Sequence, residues 1–354
     1  MTYVQSVVSA LILRSMGGLA LIGLALLAGC KPAPVQQQFT GSIMGTSYHV
    51  SVIMPSDDSA ERDKIAQGIH QTLVDIDLKM STYKPESELS RFNRAQPDEW
   101  FAVSDKTAQV VREALSISQL SGGAFDVTVG PLVNLWGFGP DHRPSRTPSE
   151  AMLAEAFQRV GYQAVQARLA DPLQTPETAL LKSKAVYIDL SAIAKGYAVD
   201  QVADYLTAQQ LNQFMVEVGG EIRVKGLKPD GKPWRIAIEK PISDGQVVQS
   251  VIGVTDISIA TSGSYRNYFE FEGQRYSHTI DPKTGRPITH KLASVTVLHP
   301  NSSTADALAT TLMVLGPEAG FNFAQQHQLA VYMLVKSDRG FDELQTSEFK
   351  ALVR

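Results

Sequence analysis

The sequence has little of what several protein classes depend on. It contains one cysteine, Cys30, among 354 residues, so no disulfide can form within the chain. It also lacks a long basic run, because 32 Lys and Arg are set against 36 Asp and Glu for a net charge of -4. Nucleic-acid binding needs a basic patch, so we expect no nucleic acid among the partners.

Familiar catalytic signatures are missing as well. The chain has no Walker A loop, no GxGxxG, no HExxH and no GxSxG. Two fragments match penicillin-binding proteins and β-lactamases, "STYK" at 81–84 and "KTG" at 283–285. The S-x-N element expected between them is absent, and this KTG falls in the turn sequence "DPKTGRP" rather than on a strand. The two fragments therefore do not support that class of enzyme.

The N-terminus is typical of an exported protein. Residues 1–29 carry one charged side chain, Arg14, before the apolar stretch "GGLALIGLALLAGC" that ends at Cys30. "LAGC" resembles the lipobox of bacterial lipoproteins, in which cleavage leaves the cysteine as a lipid-modified first residue. We expect a signal peptide over 1–29, a lipidated tether over 30–38 and a folded domain over 39–354. A plain signal anchor with an incidental cysteine is the alternative.

The body of the chain mixes strand and helix signals. Helices are predicted at about 59–80, 104–121, 150–160, 191–209 and 303–315. Strands are predicted at 46–54, 185–190, 213–226 (two strands meeting at Gly219-Gly220), several segments between 234 and 299, and 330–335, which closes the body. Because strands and helices do not alternate strictly, the pattern favours an α/β fold of the mixed α+β kind in a single interlocked domain.

The segment "SSTADALATTLMVLG" at 302–316 raises the sharpest question about function. It reads as a buried helix, yet Asp306 and Thr310 lie about 40° apart on one of its faces. One interpretation is structural: Asp306 pairs with Ser303 to cap the helix, and Thr310 bonds back to a carbonyl. The other is a metal site, because a carboxylate and a hydroxyl are hard oxygen ligands suited to Mg2+.

A second candidate stretch is "DLSAIAKGYAVD" at 189–200, a strand-to-helix corner. Asp189, Ser191 and Lys195 would face the mouth of a cleft there. A lysine one turn into a helix is well placed to meet an anion. The alternative is that Ser191 caps the helix and Lys195 is solvated.

Three other features leave two interpretations open. Gly219 and Gly220 form either a simple hairpin turn or a place where the backbone approaches a ligand. His278, just before an Asp-Pro turn, is either structural or an acid–base group. Tyr83 is either a core ring or a stacking face.

Taken in order, these stretches resemble the ApbE family, the FAD:protein FMN transferases. The resemblance is carried by "GTSYHV", "MSTYKPESELSRFN", "GAFDVTVGPLVNLWGFG", "DLSAIAKGYAVD", "VEVGGEI", "ATSGSYRNYFEFEGQRYSHTIDPKTGRPI" and "SVTVLHPNSSTADALATTLMVLG". These segments span nearly the whole mature chain, and many family members are periplasmic lipoproteins.

The resemblance implies a T-fold-like α/β architecture and a Mg2+-dependent enzyme. The family transfers the FMN half of FAD to a threonine or serine hydroxyl of a target protein and releases AMP. By matching motifs, it implies flavin-nucleotide contacts at Met44, Tyr83, Ala124, Phe125, Asp126, Asp189, Lys195 and Ile259. It implies metal ligands at the Ala192 carbonyl, Asp306 and Thr310. Some members have aspartate at the position of Ala309 and glutamate at that of Lys195, which leaves the number of Mg2+ ions open.

Several expectations about mechanism and partners follow. A base must take the proton of the acceptor hydroxyl, and His278 is the candidate, while Lys195 adds positive charge. Attack by water would make the same site an FAD pyrophosphatase giving FMN and AMP, and a non-catalytic FAD-binding lipoprotein is the other alternative. The family suggests acceptors in periplasmic domains of redox pumps, such as sodium-pumping NADH:quinone reductase and Rnf-type subunits. The lipid anchor would hold the enzyme on the periplasmic face of a bacterial membrane, by expectation the inner one.

Overall fold

The computed structural model describes residues 34–353 except for gaps at 140–146, 172, 174–176, 243–244, 246, 265–267 and 272–273. The predicted signal peptide over 1–29 and the lipidation site Cys30 lie outside the described residues. The described residues of 36–53 and 58–353 form one compact unit. No helix within the described ranges has both the length and the hydrophobicity that crossing a membrane requires.

Strands make up much of the described chain. They are β1 (Val35–Ile43), β2 (Thr46–Met54), β3 (Phe101–Ala102), β4 (Val165–Arg168), β5 (Ala179–Lys182), β6 (Phe214–Val218), β7 (Glu221–Lys225), β8 (Trp234–Glu239), β9 (Val248–Val254), β10 (Ile257–Gly263), β11 (Tyr268–Phe271), β12 (Gln274–Ser277), β13 (Ile280–Asp281), β14 (Arg286–Pro287), β15 (Leu292–His299), β16 (Ala330–Ser337) and β17 (Gly340–Gln345).

The helices carry the expected apolar stripes. They are α1 (Ser59–Met80), α2 (Glu88–Arg94), α3 (Asp105–Leu120), α4 (Gly130–Leu135), α5 (Glu150–Phe157), α6 (Ala194–Ala208), α7 (Ser302–Leu315), α8 (Pro317–Gln326) and α9 (Ser347–Leu352). In α1, the apolar residues that predict the helix are the buried ones: Ile65, Ile69, Leu73 and Ile76. The start of α3 is also as predicted, because Ser104 accepts a hydrogen bond from the Thr107 amide.

One eight-stranded sheet organises the fold, in the order β1-β2-β6-β7-β10-β15-β16-β17. Every neighbouring pair from β2 to β17 is antiparallel. Helix α1 packs on α6, α6 on α7, and α7 on β10 and β15. Side chains of the β8–β9 hairpin pack with β10, β15, β16 and α9 in a second apolar cluster. The central strand β15 is therefore buried along almost all its length, and the mixed α+β expectation is confirmed.

The segment 185–190, predicted as a strand, is not one. Its main chain is held by the side chain of Asn93, whose amide nitrogen donates to the Ile188 carbonyl and whose oxygen accepts from the Ile188 amide, both at 2.8 Å. Because a side chain satisfies these groups, no neighbouring strand is needed. The alternation of apolar residues in this stretch reflects burial in an irregular connection.

The structure also differs from the predicted elements near both ends of the folded body. The tether predicted over 30–38 overlaps β1, which begins at Val35. The polar sequence "VQQQ" is tolerated at this edge of the sheet because pairing there uses main-chain groups. The strand predicted at 330–335 is β16, but it does not close the fold, since β17 and α9 follow it.

Candidate active site

Asp306 does not cap the N-terminus of the helix that carries it. Helix α7 follows the N-cap Asn301, whose side chain makes no capping hydrogen bond. Its first two amides instead donate to Asp200 of α6, from Ser302 at 3.0 Å and from Ser303 at 2.9 Å. A carboxylate at a helix N-terminus satisfies free amides and interacts favourably with the helix dipole. Asp200 therefore fills the role that the sequence allowed for Asp306, and the capping interpretation is wrong.

Asp306 faces α6 from the next turn of the helix. Its Oδ2 accepts hydrogen bonds from the backbone amide of Gly196 at 3.2 Å and from Nζ of Lys195 at 3.4 Å. Both donors reach the same oxygen, and the described residues place no other hydrogen-bond donor on this carboxylate. Asp306 is only 3% exposed, so a buried carboxylate keeps one oxygen without a protein donor.

The contact between α6 and α7 depends on Gly196. A β-carbon at this position would lie 2.3 Å from the carbonyl oxygen of Ser302 and 2.8 Å from the Cα of Ser303. Both are main-chain atoms at the start of a helix, so neither can move without shifting the helix itself. The missing side chain therefore allows the Gly196 amide to reach Asp306.

Sequence reasoning missed one member of this site, Glu221. Nζ of Lys195 lies 3.1 Å from Oε1 of Glu221, the first residue of β7, as well as 3.4 Å from Asp306. Glu221 is 4% exposed, and its Oε2 has no hydrogen-bond partner among the described residues. The available signal is a glutamate directly after Gly219-Gly220, but strand periodicity does not reveal that a helix covers it. We call Lys195, Glu221 and Asp306 the Lys195 cluster.

Burial and charge act against each other in the Lys195 cluster. Burial alone would lower the pKa of the Lys195 ammonium, but the charges of Asp306 and Glu221 raise it above its ordinary value. For Glu221, burial raises the pKa above its ordinary value, and the charge of Lys195 opposes that rise. The ammonium therefore remains protonated, and the site holds a fixed positive charge between two carboxyl groups.

The two glycines beside Glu221 form a hairpin turn between β6 and β7. Both have positive φ, 60° at Gly219 and 99° at Gly220, which the two-residue turn requires. A β-carbon on Gly219 would lie 3.1 Å from Cδ of Lys195 and 2.9 Å from Cγ2 of Thr46. The turn interpretation is thus confirmed, and the close approach is to the stem of Lys195.

A second group of predicted residues surrounds Asp189. Its Oδ1 accepts hydrogen bonds from the amide and the hydroxyl of Ser191 at 2.9 and 2.6 Å, and its own amide donates to the Val127 carbonyl at 2.7 Å. Partial burial and the nearby charge of Asp189 raise the pKa of Tyr83. The Tyr83 ring is nevertheless 64% exposed, which excludes the core interpretation and leaves a face free for stacking.

The stretch from Ala124 to Asp126 is buried. These residues are 2%, 3% and 8% exposed in order. The Asp126 carboxylate accepts hydrogen bonds from the Thr128 amide and hydroxyl and from the Tyr162 amide. Burial raises the pKa of Asp126, and these hydrogen bonds oppose the rise. The Asp126 carboxylate is therefore committed to the fold, and the assignment of this stretch as a nucleotide contact stays a prediction.

The predicted metal ligands have the right chemistry for Mg2+. The hydroxyl of Thr310 lies 3.3 Å from that of Ser262, one helical turn after Asp306. The Ala192 carbonyl accepts no backbone hydrogen bond in the described chain, because the Gly196 amide donates to Asp306 instead. The described residues hold no group of three His, Cys, Asp or Glu arranged for a metal. Mg2+, however, takes hard oxygens and few carboxylates, and this donor set fits it.

Met44 and Ile259 occupy very different places. Met44 has a positive φ of 54° at the tip of the β1–β2 hairpin, beside a hollow of about 310 Å³ lined by Ser42, Ile43, Gly45 and Thr46. Ile259 is 2% exposed in the middle of β10, paired with Ile222 on one side and Leu298 on the other. Its side chain belongs to the core, so its assignment as a flavin contact stays a prediction.

His278 lies just after β12, with its ring centroid 6.3 Å from that of Phe138 in an edge-to-face arrangement. The described contacts do not trace a proton path from His278 to the Lys195 cluster, and its role as a base stays a prediction.

Comparison with known proteins decides the family. A sequence model of the ApbE family matches residues 44–333. This chain belongs to the ApbE family. It is 48% identical over 333 residues to a Vibrio cholerae protein named FAD:protein FMN transferase, covering 94% of this chain and 97% of the relative. An Escherichia coli K12 protein of the same name is 39% identical over 344 residues, covering 94% and 96%.

Solved structures of this family share the fold. The flavin transferase ApbE from Vibrio cholerae superimposes with a TM-score of 0.81 at 46% identity, covering 90% of this chain and 99% of the other. The ApbE protein from Thermotoga maritima gives a TM-score of 0.78 at 30% identity, covering 90% and 100%. The expected ApbE architecture is therefore confirmed.

Proposed function

We propose that this enzyme transfers FMN from FAD to a threonine or serine hydroxyl of a target protein. One observation carries the proposal: Asp306 is a buried carboxylate in an apolar helix, released from capping by Asp200, with one oxygen lacking a protein donor. The oxygen without a protein donor is available to a ligand, and a carboxylate oxygen is a ligand that Mg2+ prefers. Relatives named FAD:protein FMN transferase, aligned over nearly their full length, support the assignment.

The residues around Asp306 would divide the work of the reaction. Asp306, the Thr310 hydroxyl and the Ala192 carbonyl would hold Mg2+. When bound, Mg2+ would supply positive charge that stabilises the pyrophosphate and the departing AMP. Lys195 provides a second, permanent positive charge at the start of α6. The exposed Tyr83 ring offers a stacking surface to a ring of the dinucleotide.

The bond changes are those of a phosphoryl-type transfer. The acceptor hydroxyl oxygen bonds to the phosphorus of the FMN half, while the bond from that phosphorus to the bridging oxygen breaks and AMP leaves. His278 takes the hydroxyl proton in this scheme. The product is a phosphodiester between FMN and the acceptor side chain. Positioning of the acceptor hydroxyl decides between this transfer and hydrolysis by water.

The test is a direct assay for the two products. Purified protein is incubated with FAD, Mg2+ and a candidate acceptor domain, then analysed by denaturing gel with flavin fluorescence and by AMP release. We expect a fluorescent acceptor band that EDTA abolishes and that an acceptor lacking its hydroxyl does not give. AMP and free FMN without any band, across several acceptors, would identify a pyrophosphatase. Bound FAD with neither product would identify a carrier.

We also propose where the enzyme works. The lipobox ending at Cys30 supports a lipid anchor on the periplasmic face of a bacterial inner membrane, and periplasmic domains of sodium-pumping NADH:quinone reductase or Rnf-type complexes as acceptors. Metabolic labelling with a radioactive fatty acid tests the anchor. We expect label in the wild-type protein and none in Cys30→Ser, whereas equal labelling of both proteins would contradict the proposal.

A further inference from the structure

In the Lys195 cluster, one ammonium group lies between two buried carboxyl groups. The side chains of Glu221 and Asp306 are each 5% exposed, and Nζ of Lys195 lies 3.1 Å from Glu221 and 3.4 Å from Asp306. Lys195 also lies in the first turn of α6, where the helix dipole disfavours a cation. The ammonium is therefore held there by the two carboxylates, and of these it lies closer to Glu221.

Glu221 has spare capacity to accept hydrogen bonds. Its Oε1 contacts Lys195, but its Oε2 is buried with no partner among the described residues. An ammonium has three N–H donors and can donate to both oxygens of a single carboxylate. Glu221 can therefore hold Lys195 without help from Asp306. Asp306 cannot replace Glu221 in this way while also serving a metal.

A divalent cation at Asp306 would conflict with the present position of Lys195. The ammonium lies 3.4 Å from Oδ2 of Asp306, and like charges at such a distance in a buried site repel strongly. The stem of Lys195 is confined where it passes Gly219, because only a glycine leaves room there. The ammonium thus has a short path available, from Asp306 fully onto Glu221.

We propose that Glu221 is a positioning residue that takes over the Lys195 ammonium when a divalent cation binds Asp306. This inference rests on the metal site of the proposed function. In the metal-free protein, Lys195 partly neutralises Asp306 and competes with the cation. When the cation replaces the ammonium beside Asp306, Glu221 accepts the ammonium and so lowers the free-energy cost of cation binding. The ammonium then stays next to the site, where it can contact the pyrophosphate of FAD.

The proposal makes opposite predictions for two variants. Glu221→Gln leaves Lys195 with Asp306 as its sole carboxylate, so cation affinity should fall, by roughly 10–100-fold as for other residues that orient metal ligands. Lys195→Met removes the competitor, so cation affinity should rise. In a Lys195→Met background, Glu221→Gln should have no further weakening effect, because Glu221 acts through Lys195. A glutamate that ligates the metal itself would weaken binding in both backgrounds.

The experiment is a Mn2+ titration of the full chain without flavin, followed by the electron paramagnetic resonance signal of free Mn2+. Wild type, Asp306→Ala, the two single variants and their double variant are compared, with Glu318→Gln as the control. Glu318 is an exposed glutamate on α8, outside the Lys195 cluster. We expect the control to bind like wild type. Circular dichroism verifies that each variant folds. If Lys195→Met fails to fold, the double variant, which loses one charge of each sign, is compared with Glu221→Gln instead.

The outcomes separate the two proposals. Suppose that wild type binds Mn2+, that Asp306→Ala does not, and that Glu221→Gln binds as tightly as wild type. This result would overturn the proposed role of Glu221 but support the metal site at Asp306. Weakening of equal size in both Lys195 backgrounds also overturns it, by making Glu221 a ligand. Wild type without measurable Mn2+ binding overturns the metal site and the exchange together.

Discussion

Asp200 and Asp306 are two buried carboxylates at the contact between α6 and α7, and the protein uses them differently. Asp200 is 7% exposed and both of its oxygens have donors: the amides of Ser302 and Ser303, and Nη1 of Arg223 at 2.6 Å. Asp306 is 3% exposed, and both of its donors reach one oxygen. Asp200 therefore accepts three hydrogen bonds spread over both oxygens, while Asp306 accepts two on a single oxygen.

The difference shows that burial of a carboxylate does not by itself indicate a catalytic or metal-binding site. A buried carboxylate with donors on both oxygens stabilises the structure around it, whereas one with a free oxygen can still accept a bond from a ligand. Asp126, with donors on both oxygens, belongs with Asp200 by this criterion. The number and placement of donors therefore separate the structural carboxylates from the candidate catalytic one.

The largest effect is expected from Asp306→Asn. Loss of the negative charge should lower the rate of flavin transfer by roughly 10²–10³-fold or more, since one preorganised electrostatic group contributes that much in other enzymes. Stability should change little, because the amide oxygen of asparagine can still accept from Gly196 and Glu221 still holds Lys195. Acceptor fluorescence and AMP release measure the rate, and urea unfolding measures stability. A fully active variant would falsify the assignment of Asp306 to the metal site.

The second effect concerns the close contact that brings Asp306 to α6. Gly196→Ala places a methyl group against main-chain atoms of α7, so we expect a loss of about 1–3 kcal/mol in the free energy of unfolding, together with reduced activity. Gly68→Ala on α1 is the matched control, because its methyl group meets only the outer end of the Tyr205 side chain, which can rotate away. Equal stability of the two variants would contradict the tight helix contact.

A smaller effect is expected from Asp200→Asn. The variant loses the ion pair with Arg223 and part of the cap on α7, so we expect the free energy of unfolding to fall by about 1–2 kcal/mol. The rate per folded molecule should stay within a few-fold of wild type, since Asp200 is saturated by the protein. A loss of activity as large as that of Asp306→Asn, in a folded protein, would erase the distinction between the two carboxylates.

The smallest effect involves the other end of α7, where His290 packs against Gly316. Burial lowers the pKa of His290 below its ordinary value of 6.5, and nearby main-chain carbonyls oppose the shift. The unfolded chain then binds the proton more readily than the folded one, so stability is fully present above pH 6.5 and declines as the pH falls below it. Urea unfolding between pH 8 and 5 should show a shallower decline for His290→Gln than for wild type. Parallel curves would exclude this contribution.

The sequence alone determined the local elements and the family. Apolar spacing in α1 and α7, Ser104 before α3, and the Gly219-Gly220 turn are local signals, because the residues that interact are close in the chain. The long ordered motifs, from "GTSYHV" to the helix of Asp306, indicated a flavin transferase, and the comparisons confirm that family.

Only the tertiary structure decided which groups Asp306 contacts. The sequence allowed two interpretations of Asp306, a helix cap or a metal ligand, which differ in what its carboxylate contacts. The residues that distinguish them, Asp200, Lys195 and Gly196, lie about a hundred residues earlier in the chain. Glu221 was missed for the same reason: a strand pattern does not show which helix covers a side chain. Segment 185–190 was misread because Asn93, a distant side chain, supplies its hydrogen bonds. Sequence periodicity indicates which residues are buried, but only the folded structure shows which groups they contact.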